Sequence, residues 1–432
     1  MTISFQNYDS SFFQAEIEGI KNPLMKKDIS DRIISLEVVE EMGKISTGTI
    51  QICDEDDLRF TNVLKGKKIV VKWGYSNMDL SGQQAFRKQN NPKELFSPTL
   101  VNRVISGRIK NPSGGGDENG VFTYNCSFYG REFEDNSARR KTPFTSGKKG
   151  DAIAQVFQAM GINNYYINFR RQNEVITRDT AIRQTESNFR FLARYATEWR
   201  AMFRIATSNK VINPLADPPE YNMVGLFCDY DDDISVQAFL QDTLGASGDS
   251  STFEYKLSGS PNVKSYTWQQ HQGQAGSGDN VRVVVVNGKT EFYFMKADTE
   301  QVVYYKLNTA KMQKELAQKA NVATQAQWLT SMFEEANKGM ANLVENKYFI
   351  PVNETTAPQG IGLSATLETI GNPLYTCPAR AKFSKGFPDI FLTKKGLTFY
   401  QTRVSHKINR SGYSNTIQIA DAFTVSGGSL VG

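Results

Sequence analysis

Residues 183–205 constrain the fold of this chain more than any other stretch. Their apolar side chains fall in two neighbouring rows at helical spacing, the first made of Phe189, Leu192, Ala193 and Ala196 and the second of Phe191, Tyr195 and Trp199. A helix that is apolar over more than half of its circumference must be packed between other elements. Thr185 or Ser187 can cap its first turn, where the negative charge of Glu186 suits the helix dipole. We therefore predict a buried helix that leads directly into a strand at Phe203.

Alternation of apolar and polar residues predicts that the chain up to about residue 135 forms mostly half-buried antiparallel strands. Residues 121–128 alternate cleanly, with three aromatic side chains and Cys126 on one face. Residues 32–41 and 45–53 flank a Met-Gly break and are typical of a hairpin. The glycine-rich residues 111–120 are predicted to be a turn region.

The period changes to helical from Gly150. An apolar stripe at Ile153, Val156, Phe157 and Met160 ends at Gly161, which is a suitable helix C-terminus. Together with residues 183–205, this helix predicts a small α-containing domain. Further along, residues 281–286 and 290–295 flank Asn-Gly, which predicts a tight hairpin because both turn residues must accept a positive φ.

Residues 309–345 return to helical spacing and are predicted to be a helical insertion in a β-rich region. Thr309 and Thr324 are its candidate caps. Its predicted core stripe consists of Trp328, Met332, Phe333, Ala336 and Leu343. After a linker over residues 351–362, residues 399–408 and 413–419 are predicted to form a final hairpin.

Two hairpins of the chain resemble each other. Residues 103–111 followed by 120–123 align with residues 403–409 followed by 412–415 when one gap is allowed. Chance similarity between two hairpins explains this as well as a duplicated β-barrel does.

Four segments resemble one known family. Residues 184–196 combine an acidic-serine helix start with a Phe-Leu pair and a following arginine, while residues 66–75, 105–109 and 396–419 follow the order of its opening and closing strands. They resemble phage tail hub proteins of the late control gene D family and the related type VI secretion spike proteins.

The resemblance implies an α+β, mainly β fold with two tube-like antiparallel β-barrels, a small α-containing domain and a helical insertion. The implied divisions are residues 1–138 for the first barrel, 139–205 for the small α/β domain, 206–308 with 360–425 for the second barrel, 309–359 for the helical insertion and linker, and 426–432 for a flexible tail.

The same resemblance implies a structural role. Three copies would form a homotrimeric symmetry adaptor in a virion tail baseplate, between a hexameric tail tube and a trimeric spike. The expected partners are the tail tube protein, the spike protein, the tape measure protein and other baseplate proteins, with DNA only in transit through the lumen. Assembly is expected in the host cytoplasm.

Composition adds limits to this expectation. The 50 Lys and Arg residues nearly balance 45 Asp and Glu residues, and a net charge of +5 over 432 residues makes no case for a dedicated nucleic-acid binder. The start lacks the pattern of a signal peptide and no stretch is apolar enough for a spanning helix, so we expect a soluble protein without a membrane segment. Four widely spaced cysteines, Cys53, Cys126, Cys228 and Cys377, are expected to be buried free thiols.

The sequence offers few groups for chemistry. His271 and His406 have no companion at ligand spacing, and no nucleophile elbow, zinc-protease helix or phosphate-binding lysine loop occurs. Residues 54–57 and 229–233 are acidic clusters that calcium could occupy, although solvated loops or lumen walls are favoured. The basic run 139–141, with Lys148 and Lys149, could meet phosphates or an acidic neighbouring subunit, or be a solvated loop. No catalytic, cofactor-binding or metal-binding residue is therefore predicted, and no cofactor.

Two alternatives remain open at this point. A tail-associated peptidoglycan hydrolase could use paired carboxylates, but no segment is left over to house such a domain. The hub of a type VI-like secretion spike shares the opening barrels, but is expected to continue into a long repetitive needle, whereas this chain stops soon after Ile419.

Overall fold

The fold is described by a computed structural model that covers most of the 432 residues. The described residues are 10–20, 32–54, 64–76, 102–116, 122–133, 143–169, 171–178, 181–184, 186–199, 201–229, 233–244, 251–255, 261–270, 281–286, 289–297, 302–338, 341–351, 363–384, 386–392, 399–409 and 411–421. Strands predominate among them, and the predicted mainly β, α+β fold class is confirmed.

The strands follow one another along most of the chain. In chain order they are β1 (Ser10–Ile17), β2 (Ile33–Glu41), β3 (Thr47–Asp54), β4 (Lys68–Ser76), β5 (Asn102–Gly116), β6 (Phe122–Gly130), β7 (Asn164–Asn168), β8 (Ala201–Asn213), β9 (Glu220–Asp229), β10 (Ser251–Phe253), β11 (Val263–Gln270), β12 (Val281–Val286), β13 (Lys289–Ala297), β14 (Val302–Leu307), β15 (Phe349–Pro351), β16 (Leu363–Ile370), β17 (Ala379–Phe383), β18 (Phe399–Asn409) and β19 (Gly412–Asp421). The helices are α1 (Lys149–Ala159), α2 (Asn188–Trp199), α3 (Asp233–Leu244), α4 (Thr309–Ala317), α5 (Val322–Lys338), α6 (Ala341–Glu345) and α7 (Asp389–Leu392).

A large sheet connects the two ends of the chain. Its strand order is β1-β4-β5-β6-β3-β2-β18-β19-β16-β11, and β17 pairs with both β18 and the short β10. The N-terminal strands meet the C-terminal ones where β2 pairs antiparallel with β18, with Val38 opposite His406. Among the described strands this path stays open and does not close into a barrel, so the two barrels implied by the resemblance stay a prediction.

The first predicted hairpin is confirmed. β2 and β3 pair antiparallel, and Leu36, Val38, Ile50 and Ile52 of these strands are buried. Gly43 in the connecting turn has a φ of +72°, a backbone conformation in which glycine has no steric penalty. Its N–H donates a hydrogen bond to the carbonyl of Phe203, 2.8 Å away, and so ties the turn to β8.

The turn predicted at residues 111–120 is wrong over its first half. β5 continues through Gly116 and stays paired with β6, after a bulge near Asn111. A side chain at Gly114 would place its Cβ 2.9 Å from the ring of Tyr124, so glycine here permits close packing on an aromatic ring. Residues 117–121 lie outside the described part of the chain. Residues 80–100 also lie outside it; they are rich in Gln, Asn and Lys, which predicts a long surface insertion.

The helix predicted from residues 183–205 is α2, and both of its apolar rows are confirmed. Phe189, Leu192 and Ala196 are buried, Ala193 of the same row is partly buried against the core, and all three aromatic residues of the second row are buried. The ring of Phe189 lies 5.1 Å from that of Phe203, in the strand that follows the helix. α1 ends where predicted, with Gly161 at a φ of +71°.

α1 and α2 share a core with a three-stranded sheet of order β7-β9-β8. Trp199 of α2 stacks on Phe169, and both rings contact Phe227 of β9. This α/β layer therefore includes a strand beyond residue 205, where the small domain was predicted to end. Ile45, from the β2–β3 turn, packs against the same core.

The chain divides into two compact units. The first contains Met1–Thr267, Thr366–Thr393 and Phe399–Ile419, and the second contains Trp268–Ala365, Lys394–Thr398 and Ala420–Gly432. The division into five domains drawn from the resemblance stays a prediction.

The second unit contains the predicted Asn-Gly hairpin and the helical insertion. β12 and β13 pair with Val286 opposite Lys289, which confirms the hairpin, while its turn residues 287–288 lie outside the described residues. The helices and β15 share a small core made of Leu307, Met312, Met332, Leu343 and Phe349, with Trp328 partly buried against it. Phe333 and Ala336 have side chains outside the described set.

The caps of this helical insertion differ from those predicted. Asn308, not Thr309, accepts from the N–H of Lys311 at the start of α4. At the start of α5, the side chain of Asn321 accepts from the N–H of Thr324, and the Thr324 hydroxyl accepts from the N–H of Asn321. This reciprocal pair is a capping box, in which Asn321 is the cap and Thr324 its partner.

Candidate functional site: a buried ionic cluster in the first compact unit

One carboxylate and two guanidinium groups meet in the interior of the first unit. Glu40 of β2 has one oxygen, Oε1, 2.6 Å from Nη2 of Arg103 and 2.6 Å from Nη2 of Arg204. All three side chains are at least 95% buried. Because Arg103 belongs to β5 and Arg204 to β8, this ionic cluster joins the large sheet to the α/β layer.

The C-terminal part of the chain completes the cluster. Thr376 donates from Oγ1 to the second oxygen of Glu40, 3.2 Å away, and Arg204 donates to Thr376 and to the carbonyl oxygen of Cys377. His406 of β18 lies with Nε2 3.9 Å from Glu40. Glu40 therefore contacts groups from both halves of the large sheet and from β8.

The ring of His406 is held in one orientation. Asn415 donates from Nδ2 to His406 Nδ1 at 2.8 Å, and the hydroxyl of Tyr413 lies 2.6 Å from the same nitrogen. Since Nδ1 accepts, a neutral ring carries its proton on Nε2, which faces Glu40. Trp73 packs on the ring with a centroid distance of 5.1 Å.

Electrostatics fix the charges inside the cluster. Burial alone would raise the pKa of Glu40, but the attraction of Arg103 and Arg204 outweighs it and lowers this pKa to about 2. Burial lowers the pKa of His406 to about 3, and the two arginines add to this effect against the opposing pull of Glu40. At neutral pH the cluster therefore holds an ionised Glu40 and an uncharged His406.

A second buried carboxylate lies close to the same junction. Glu132 follows β6 and accepts a hydrogen bond from the N–H of Ser46, 2.7 Å away, in the connection between β2 and β3. Burial raises the pKa of Glu132 to about 7, although backbone hydrogen bonds and the charge of Arg204 oppose the shift. Its Oε2 would lie 2.3 Å from any Cβ at position 130, so this arrangement requires Gly130.

Opposing groups set the expected pH dependence of stability. The pKa of Glu40 is depressed, so its stabilisation is present above the unfolded value of 4.5 and is lost as the pH falls towards 2. His406 acts in the same direction between pH 6.5 and about 3. The pKa of Glu132 is raised, so its contribution is lost as the pH rises from 4.5 through about 7. We expect the free energy of unfolding to fall most steeply below pH 4.5, where only the first two groups act.

Replacement of Glu132 by glutamine isolates one of these contributions. The amide can accept a hydrogen bond from Ser46 but carries no charge at any pH. The free energy of unfolding of E132Q, relative to that of the wild type, should therefore rise by about 2 kcal/mol when the pH is raised from 5 to 8. Urea unfolding at both pH values measures this difference. The control is Glu345→Gln, at an exposed position, where a substitution should change the free energy of unfolding by less than about 0.5 kcal/mol. A pH-independent effect of E132Q would contradict the assignment.

The cluster was not predicted from the sequence, although each strand carries a signal for it. Glu40 stands two residues after Val38 on the buried face of β2, Arg103 stands two before Ile105, and His406 stands two before Ile408. In a half-buried strand, alternate residues point to the same face. A charged or polar residue in phase with buried apolar ones therefore indicated an interior polar contact.

The candidates singled out from the sequence are not brought into this site, apart from His406. His271, the basic run 139–141 and most of both acidic clusters lie outside the described residues. Lys149, at the start of α1, forms an ion pair with Glu174 at 2.5 Å. Lys148 donates from its backbone N–H to Asp151, 3.2 Å away, so both lysines serve the start of this helix.

The described residues offer no arrangement suited to metal binding. Within them, no three His, Cys, Asp or Glu side chains come together as a possible metal site. Three of the cysteines, Cys126, Cys228 and Cys377, are buried free thiols as predicted, whereas Cys53 is only partly buried. Burial raises the pKa of Cys377 to about 12, so its thiol is not activated.

Two shallow clefts lie apart from the ionic cluster. The first has a volume of about 80 Å³ and is lined by residues that include Ser106, Arg131 and Tyr221, and the second, of about 150 Å³, lies over Phe122 and Tyr124. Both are smaller than the roughly 300 Å³ at which small-molecule sites begin. The side chains of the ionic cluster itself are closed to solvent, so what they can do is hold strands in position.

No helix in the described part of the chain is long and apolar enough to cross a bilayer.

Comparison with known proteins gives matches in structure but not in sequence. No family model matches the chain, and no curated protein does. A chain of the Francisella PdpA-VgrG complex, half-lidded, is similar over 98% of this chain and 60% of its own length, with 12% identity and a TM-score of 0.50. The 43 kDa tail protein of prophage MuSo2 from Shewanella oneidensis is similar over 97% of this chain and 100% of its own, with 11% identity and a TM-score of 0.49.

A further match is the tail protein from Neisseria meningitidis MC58, over 96% of this chain and 98% of its own, with 11% identity and a TM-score of 0.49. At such identities, similarity identifies a shared fold and leaves function to be argued separately. The chain shares the fold of that chain of the PdpA-VgrG complex, and the resemblance predicted from the sequence is confirmed at the level of the fold alone.

Proposed function

We propose that this protein is a structural hub subunit of a phage tail baseplate or of a phage-like injection device. The observation that carries the proposal is the large sheet, in which β2 and β18 join N-terminal and C-terminal strands within a fold shared over 98% of the chain. A hub needs such a joint, because two β-modules of one subunit must keep a fixed relative orientation to face a regular ring of neighbours.

The proposed assembly is a homotrimer that acts as a symmetry adaptor. Each copy would contribute the two halves of its large sheet as tube-like modules, so that three copies present six modules to a hexameric tail tube and a threefold face to a spike. The tape measure protein and other baseplate proteins are further proposed partners, and DNA would pass through the central channel only in transit. The Glu40 cluster would then serve to hold the two halves and the α/β layer together.

The proposed role does not require catalysis. The ionic cluster is buried, and the clefts described above are too small for a usual substrate site. We therefore propose a non-enzymatic protein located in the virion tail. On a peptidoglycan zymogram, the purified protein should leave no cleared band, and clearing would favour the hydrolase alternative.

The mass of the assembly tests the proposal directly. Native mass spectrometry of the purified protein should give three times the chain mass of 48.4 kDa, alone or after addition of its tube protein. Electron microscopy of the mixture should show the protein at the ends of tube segments. A monomer under both conditions would contradict the proposal.

The type VI-like spike hub is the second candidate, because the 0.50 TM-score belongs to a chain of a VgrG complex. This chain spans 60% of that longer one, so the activity and partners of the complex carry over only as proposals. Binding to rings of a secretion-system tube protein, in preference to a phage tube protein, would favour this candidate.

A further inference from the structure

A β-hairpin with an apolar end projects from the α/β layer. The first eight residues of β8 are buried, whereas its last four, Lys210 to Asn213, are exposed. Beyond them the chain turns back through residues 214–219 into β9. We call residues 210–217 the apolar tip, because Val211, Ile212 and Leu215 in it are exposed by 40%, 57% and 94%.

The base of this hairpin is fixed on both sides. Ser208 donates from its hydroxyl to the carbonyl of Thr243 at 2.7 Å, and Asn209 donates to the carbonyl of Leu244 at 2.9 Å, so α3 holds the outgoing strand. On the return side, Asp217 accepts from the N–H of Gly19 at 3.2 Å. The apolar tip is therefore presented in a defined position, which lowers the conformational entropy lost when it binds.

Three large apolar side chains are exposed within five residues at the end of one hairpin. Single exposed apolar residues are ordinary, but several in one short projecting segment indicate an interaction site. The apolar tip has no net charge, because it carries one positive residue, Lys210, and one negative residue, Asp217. This limits the kinds of partner that the apolar tip can be expected to bind. A nucleic acid or an anionic lipid surface would instead select for an excess of Lys and Arg.

We propose that the apolar tip packs against the apolar tip of a neighbouring copy of this chain. Its two charges support this occupant: in a cyclic arrangement of copies, Lys210 of one copy can face Asp217 of the next, which adds attraction around a shared apolar centre. The proposal rests on the proposed function only in taking the assembly to be a ring of three copies. What the inference adds is the surface through which neighbouring copies contact each other.

The test replaces apolar side chains of the tip by aspartate in the full chain. L215D and I212D, made separately, should each raise the dissociation constant of the assembly by about tenfold or more, since a charge would be placed in the centre of the contact. Sedimentation over a range of protein concentrations measures this constant. The matched control is V175D, whose valine is 66% exposed elsewhere in the first unit and should leave the constant unchanged.

Cross-linking gives a second readout that does not depend on weakened assembly. L215C should be joined between copies by a short bismaleimide, whereas V175C should not. Cys126, Cys228 and Cys377 are buried, and the partly buried Cys53 is present in both variants, so V175C also controls for its reaction. A wild-type trimer that L215D leaves intact, with no cross-link through L215C, would overturn this inference and leave the proposed hub standing. A wild type that is monomeric alone and with its tube protein would overturn both. Loss of binding to phosphatidylcholine vesicles in L215D, with unchanged mass, would overturn the inference in favour of a membrane contact.

Discussion

Replacing Phe189 and Leu192 together by alanine should remove cooperative folding of the α/β layer. Both side chains are almost fully buried, and Phe189 packs on Phe203 in the adjoining strand. Each large-to-small change in a core costs about 2 to 5 kcal/mol, so the pair should cost about 4 to 10 kcal/mol. This loss is comparable with the whole stability of a typical protein, about 5 to 15 kcal/mol. Urea unfolding followed by near-ultraviolet circular dichroism measures it.

Two exposed residues of the same helix provide the control. Arg190→Ala combined with Thr197→Ala changes α2 on its exposed side, and surface changes of this kind stay within about 0.5 kcal/mol each. L192A alone gives a measurable intermediate if the double variant does not fold. A double variant with wild-type stability and unchanged assembly would count against the role assigned to α2.

Substitution of Glu40 by glutamine should destabilise the protein by about 3 to 5 kcal/mol. The amide keeps the shape of the side chain but leaves Arg103 and Arg204 buried without their shared negative charge, and breaking a buried ion pair has a cost of this size. Equilibrium unfolding in urea should show a lower midpoint with an unchanged slope.

The neighbouring Glu37 offers a matched control. It lies on the same strand and forms an ion pair with Lys407 at 3.6 Å, but both side chains are about half exposed. E37Q should therefore cost less than about 1 kcal/mol. Equal effects of E40Q and E37Q would contradict the structural role of the cluster. If E40Q does not fold, replacing Glu40, Arg103 and Arg204 together by apolar residues of similar volume should restore folding, because no charge is then left unpaired.

The sequence was sufficient for elements that depend on local patterns. α2, the β2–β3 hairpin and the β12–β13 hairpin could be predicted because period, turn residues and capping all lie within a few neighbouring positions. Elements were harder to predict where two local sequence signals point to different structures. The glycines of β5 indicated a turn, but packing of Gly114 on Tyr124 keeps this stretch in the sheet. The helix caps are Asn308 and Asn321, where Thr309 and Thr324 were expected. Asparagine and threonine side chains can both accept a hydrogen bond from a helix N–H, so residue type alone does not tell which of two nearby candidates is the cap.

The ionic cluster could not be assembled from the sequence because its members are far apart along the chain. Alternation within a strand marks Glu40 or His406 as inward, but does not tell which strand brings the partner. That choice depends on the order of strands in the large sheet, and pairing β2 with β18 is a long-range contact that no local pattern encodes. The resemblance to a known family supplied the fold class, but not the residues that hold the two halves of the sheet together.

The pairing of β2 with β18 also has a consequence for biosynthesis. One edge of β2 pairs with β3, but the other edge, from Ser35 to Glu41, pairs with residues 403–409, which are synthesised long after β2. Until then, the nascent chain carries an unsatisfied strand edge and a half-built interior, the kind of surface that recruits chaperones or aggregates. Such distant contacts also slow folding, because a long loop must close before they form. The large sheet of each subunit is therefore expected to be completed only after β18 has been synthesised, and before the subunit is recruited into any larger particle.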